Sequence, residues 1–131
     1  SNVIAGTFAE IIDKRIVSSA TSNRYREILS AFKQQLIKEI STDRSPSYYA
    51  AKLNISLVYL NEVVKSLTGL SVSKYIQSEV MLQAKRLLAH TSMNIQEIAL
   101  ELGFEDYAYF SRLFAKSTGV TPTQFRKNYL K

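Results

Sequence analysis

Side chains able to do specific chemistry at a surface recur in two stretches: Asn61 and Glu62 in one, Tyr107, Ser111 and Arg112 in the other. An asparagine amide can bond adenine at two points, a carboxylate can accept from the amino group of cytosine, and a guanidinium can fork onto O6 and N7 of guanine. Each charged residue also has a plainer use. Glu62 can be a solvated helix charge beside Lys65 or Ser66, and Arg112 can pair with Glu105 or Asp106. Bond-breaking chemistry has little material. With no cysteine and one histidine, thiolate nucleophiles, Cys-ligated zinc and histidine-rich metal sites are excluded. His90 sits at a helix end, where a cationic ring suits the dipole. Glu97 and Glu101 lie one turn apart without a histidine companion and read as a solvated face. No G-x-S-x-G, P-loop or dinucleotide fingerprint is present. No catalytic residue, metal or cofactor is expected.

The elements that position these side chains are helical. Phe8, Ile11, Ile12 and Ile16 have helical spacing over about 7–19, and the small polar run Ser18 to Asn23 predicts a break. Tyr25, Ile28, Leu29, Phe32, Leu36, Ile37 and Ile40 form a broad apolar stripe on the next helix. Ser45-Pro46 is an N-cap with proline at the first helical position, Ser56 caps a run to Thr68, and Gly69 suits a left-handed C-terminal turn. Ser71 opens a long run to about Ala89. Asn94 with Glu97 and Thr121 with Gln124 read as capping boxes. The pattern predicts an all-α fold of about seven helices.

The chain repeats itself. Shifted by 49 residues, Ala50, Leu53, Asn54 and Ile55 match Ala99, Leu102, Gly103 and Phe104. Shifted by 50, Leu60, Val63, Val64, Thr68, Gly69, Ser71, Ser73 and Tyr75 match Phe110, Leu113, Phe114, Thr118, Gly119, Thr121, Thr123 and Phe125. Each copy is a short helix, a tight turn and a second helix ending at glycine. That is the form of a helix-turn-helix, whose second helix suits the major groove of DNA. In the first copy Leu60, Val63, Val64 and Leu67 are expected inside, leaving Leu57, Val58, Asn61, Glu62 and Lys65 outside. In the second, Phe110, Leu113 and Phe114 are expected inside, with Tyr107, Ala108, Ser111, Arg112 and Lys116 outward or flanking. Phe104 and Phe125 also read as core.

Three stretches carry a resemblance: Ile98-Ala99-Leu100-Glu101-Leu102-Gly103-Phe104, Tyr109-Phe110-Ser111-Arg112-Leu113-Phe114, and Gly119-Val120-Thr121-Pro122-Thr123-Gln124-Phe125-Arg126. Together they resemble the signature of the AraC/XylS transcription regulators, and the stretch from Ser45 through Lys65 to Gly69 is similar to that family's first helix-turn-helix. The resemblance covers roughly Tyr25 to Lys131. It implies two helix-turn-helix units joined by a long linker helix, with two recognition helices in successive major grooves. It also implies that Val58, Asn61 and Glu62 reach base edges on the first helix. Asn61 would bind adenine, Glu62 cytosine, and Val58 a thymine methyl. Many relatives carry a basic or amide residue in place of Glu62, so the first helix is expected to read weakly. On the second helix the resemblance favours Arg112 as a guanine reader, with Tyr107, Ala108 and Ser111 as further base-contact candidates. Lys65 and Lys116, further along their helices, suit phosphates.

Composition fits. The 131 residues are 46% apolar with four glycines and two prolines, which suits one globular helical domain. The net charge of +6 favours a polyanionic partner or an anionic surface. Residues 44–131 carry +5 of it and residues 1–43 only +1. No stretch approaches the roughly 18 apolar residues of a membrane helix, and the start Ser1-Asn2-Val3-Ile4 lacks a signal-peptide pattern. A cytoplasmic bacterial protein without a membrane partner is expected. Residues 1–22 are expected to be a helical remnant or linker from an upstream region, and 23–131 a tandem helix-turn-helix domain binding double-stranded DNA. Sensing, homodimerisation and RNA polymerase contact are expected to involve an upstream domain outside this sequence. The competing reading is a basic helical module that docks a protein through the stripe from Tyr25 to Ile40.

Overall fold

The computed structural model describes the backbone of residues 2–130 and the side chains of residues 19–130. Seven helices and no strand make up the described residues: α1 (Asn2–Glu39), α2 (Pro46–Lys52), α3 (Leu57–Thr68), α4 (Val72–His90), α5 (Ile95–Glu101), α6 (Tyr107–Thr118) and α7 (Pro122–Leu130). The expected break at Ser18 to Asn23 does not occur, and α1 runs through it for 38 residues, about 57 Å. The physical reason lies in the residue types. Ser, Thr, Ala and Asn are weak punctuation, and the run holds neither the glycine nor the proline that would end a helix. The apolar stripe expected at Phe8, Ile11, Ile12 and Ile16 lies outside the described side chains.

Caps set the other boundaries. Ser45, Ser56 and Ser71 each accept from the third residue on, at Tyr48, Tyr59 and Lys74. Asn94 accepts from Glu97 N–H while the Glu97 carboxylate accepts from Asn94 N–H, which assigns that acid to a capping box. Thr121 and Gln124 make the same reciprocal pair.

One continuous core joins both units, with α4 as its spine. Val72, Ile76, Val80, Met81, Ala84 and Leu88 of α4 are buried between them. On the first side stand Phe32, Leu36, Tyr49, Leu60, Val63 and Val64, and on the second Ile98, Leu102, Phe104, Phe110 and Phe114. The α1 stripe is therefore spent on the chain's own interior: Ile28, Phe32, Leu36 and Ile40 are buried, and only Ile37 of its aliphatic positions turns outward at 63% exposure. Leu67, expected inside, is exposed. It lies in the last turn of α3, where the helix runs past the core. Leu113 and Phe125 pack on the core from the rim and are half-buried. Arg126 of α7 closes the far end of α4, donating to the carbonyls of Leu88 at 3.0 Å and Thr91 at 3.3 Å. It thereby satisfies acceptors that a helix C-terminus leaves open.

Candidate nucleic-acid interface

The two units share one hydrogen-bonded frame. In the first turn, Asn54 N–H donates to the Ala51 carbonyl at 3.1 Å and Ile55 N–H to Ala50 at 3.1 Å. In the second, Gly103 N–H donates to Leu100 at 3.0 Å and Phe104 N–H to Ala99 at 2.8 Å. Asn54 and Gly103 both adopt left-handed backbone, at φ 58° and 88°. Asparagine tolerates that region and glycine has no penalty there. The recognition helices end alike as well. Gly69 and Gly119 stand at φ 77° and 86°, and the Thr68 and Thr118 hydroxyls donate four residues back to Val64 at 2.7 Å and Phe114 at 2.8 Å. Equal backbones bring Val58 and Ala108 to one position and Glu62 and Arg112 to another.

The exposed faces differ between the copies. On α3, Val58 is 80% exposed, and Glu62 and Lys65 face solvent. Leu57, expected outside, is half-buried against the core. Asn61 is half-buried too, and its Oδ1 accepts the Val72 N–H at 2.9 Å. The asparagine thus braces the start of α4 against α3. One lone pair of Oδ1 is thereby committed to the protein, which competes with the expected bidentate contact to adenine. No sequence signal marked this, since the partner is a backbone group 11 residues away.

On α6, Tyr107, Ala108, Arg112 and Lys116 are exposed and Ser111 is half-buried. Asp106 caps the helix, accepting from Ala108 and Tyr109 N–H at 2.9 and 3.3 Å. The one ion pair among the described residues joins Lys52 to Glu39 at 3.7 Å. Arg112 therefore makes neither the pair with Glu105 nor the one with Asp106, and its guanidinium stands outward without an acid. Glu62 likewise has no pair with Lys65. Its neighbour is a residue that sequence reasoning passed over. Tyr25 of α1 lays its ring edge-on to Tyr59 at 6.0 Å. Partial burial and then the Glu62 carboxylate push the Tyr25 hydroxyl above the usual phenol range. A contact between α1 and α3 carries no periodic signature. Tyr109, the counterpart of Tyr59, lies against Phe104 of its own unit at 6.2 Å rather than under another helix and is 51% exposed, a second aromatic beside Tyr107.

Two exposed recognition helices on one duplicated frame, joined through a helix of 19 residues, define a tandem helix-turn-helix DNA-binding domain. Residues 49–128 match the family model described as a helix-turn-helix domain. A transcriptional activator RhaR from Cronobacter sakazakii is 41% identical over 70 residues, 53% of this chain and 25% of that protein. RhaR from Salmonella arizonae is 26% identical over 94% of this chain and 47% of its own length. The C-terminal domain of AraT, a response regulator of Geobacillus stearothermophilus, superposes with a TM-score of 0.72 at 34% identity, covering 77% of this chain and 84% of that one. The chain belongs to the AraC/XylS family of transcription regulators and carries its DNA-binding domain. It spans at most about half the length of the curated relatives it matches.

Proposed function

We propose that this chain binds specific duplex DNA by laying α3 and α6 in successive major grooves on one face of the helix. The observation that carries this reading is the matched turn geometry of the two units, which turns two outward faces to solvent with no ion pair for Arg112 among the described residues. The length of α4, about 28 Å, with the widths of the flanking helices added, is compatible with the roughly 34 Å between successive turns of B-DNA. The +5 carried by residues 44–131 supplies attraction for phosphates. Arg112 is assigned to guanine and Glu62 to cytosine, with Val58, Tyr107, Ala108 and Ser111 as accessory base contacts. Lys65 and Lys116 are assigned to phosphates, and Asn61, held by its bond to Val72 N–H, is assigned a lesser contact with adenine.

We propose a domain boundary near residue 23, a reading supported by Tyr25 being the first of the described α1 side chains that packs on the core. Homodimerisation, effector sensing and RNA polymerase contact are proposed for the full-length protein in the cytoplasm of a bacterium. The RhaR relatives are transcriptional activators, which supports the RNA polymerase contact. The competing protein-docking module loses its main surface, because the stripe of α1 is buried internally. Fluorescence anisotropy on random and selected duplexes across a salt series tests the reading. Specific binding with a steep negative slope of log K against log salt is expected, and a flat slope with no sequence preference contradicts it.

A further inference from the structure

The two units touch at a second place besides α4. Arg44, in the loop between α1 and α2, reaches the turn of the second unit. Its Nη1 donates to the Leu102 carbonyl at 2.9 Å, and its guanidinium carbon lies 3.9 Å from the centroid of the Phe104 ring. Between those two partners, a Cβ on Gly103 would stand 2.5 Å from the Ser41 carbonyl oxygen and 2.8 Å from Arg44 Nη1. The second turn is thus pressed onto the end of the first unit with no space for a methyl group. The loop that presents Arg44 is itself tied down. Ser45 N–H donates to the Asp43 carboxylate at 2.7 Å, and the buried Tyr49 hydroxyl donates to the Asp43 carbonyl.

We propose that Arg44 is a positioning residue that fixes the angle between α3 and α6, and so sets which separation between two half-sites the protein accepts. The proposal rests on the reading that both helices enter major grooves. The second unit packs on α4 through the shared core, and a contact off that axis adds resistance to rotation about it. The accuracy needed is high: one base pair moves the next groove by about 3.4 Å and about 35°. Arginine suits the task because one planar group stacks on a ring and donates in its own plane, which an ammonium cannot do.

Binding of the wild type, Arg44→Ala and Arg44→Lys is measured on duplexes whose half-sites are moved one base pair closer or further apart. The wild type is expected to prefer one spacing by tenfold or more, and both variants to narrow that preference to threefold or less. A variant that weakens binding by one common factor at every spacing, or keeps the wild-type preference, overturns the proposal. Because the chain has no cysteine, spin labels on Ser66→Cys and Lys116→Cys give the distance between the two recognition helices in DNA-free protein. Arg44→Ala is expected to broaden that distribution, and an unchanged one overturns the brace whatever the DNA result. If the wild type binds no duplex, the DNA reading fails and the distance measurement decides the brace alone. Arg44→Lys, the milder change, keeps the test open should Arg44→Ala fail to fold.

Discussion

The first recognition helix is roofed by a tyrosine of α1 and the second has no such helix over it among the described residues. Tyr25 of α1 lies against Tyr59 and beside Glu62 on α3, whereas Tyr107 and Tyr109 in the first turn of α6 are each about half exposed. The interiors differ as well. The buried residues that α3 itself supplies are aliphatic, Leu60, Val63 and Val64, whereas α6 supplies Phe110 and Phe114, whose rings stand 6.1 Å apart between centroids, with Phe104 5.2 Å from Phe110. The turns and the C-terminal glycine caps are nevertheless alike in both copies. A duplicated unit therefore keeps the atoms that make the helix pair and is free to change what it shows. Here one copy shows an anion against an aromatic roof, and the other a cation with no ion pair among the described residues beside two half-exposed tyrosines. The difference predicts that the second helix dominates DNA reading.

The largest effect should appear at the turns. Gly103→Ala combines left-handed backbone with a Cβ against a backbone oxygen and is expected to destabilise the fold by about 3 kcal/mol or more in urea unfolding. Asn54→Ala, at the equivalent position, should lose only about 1 kcal/mol. Equal losses would show that the second turn is not the tighter one.

Arg112→Ala comes next, with an expected loss of about 1–3 kcal/mol in specific binding and relaxed preference at one guanine. Equal weakening on every duplex would reassign the guanidinium to a phosphate.

Glu62→Gln should tighten binding to most duplexes by under about 1 kcal/mol, by removing an anion near phosphates, while relaxing any preference for cytosine. Binding on matched duplexes at two salt concentrations checks it, and weaker binding throughout would make Glu62 a productive reader. Lys116→Ala is the smallest change. It should lower affinity evenly across sequences and reduce the salt slope by about one, as one phosphate contact is lost; an unchanged slope removes it from the interface.

Much of this was legible because it is local. The caps at Ser45, Ser56, Asn94 and Thr121, the left-handed glycines and the repeat all reside in short spacings, and the helices follow from them. The long α1 escaped because a run of Ser, Thr and Asn disfavours helix only weakly. Of the interface, the outward set on α6 was readable from periodicity. Three residues were not, and for one reason. Asn61 bonds a backbone group across the α3–α4 corner, Tyr25 reaches α3 from α1, and Arg44 crosses 58 residues to Leu102. Contacts between elements leave no period in the sequence.

The dominance of α6 is tested most directly by selecting bound sites from random duplexes with the wild type and with Arg112→Ala, and comparing sequence preference at each half of the site. The account predicts two half-sites about one helical turn apart. One should be sharply defined around a guanine and lose its definition in Arg112→Ala, and the other should be weakly defined in both proteins. A wild-type site whose sharper half survives Arg112→Ala unchanged would contradict it.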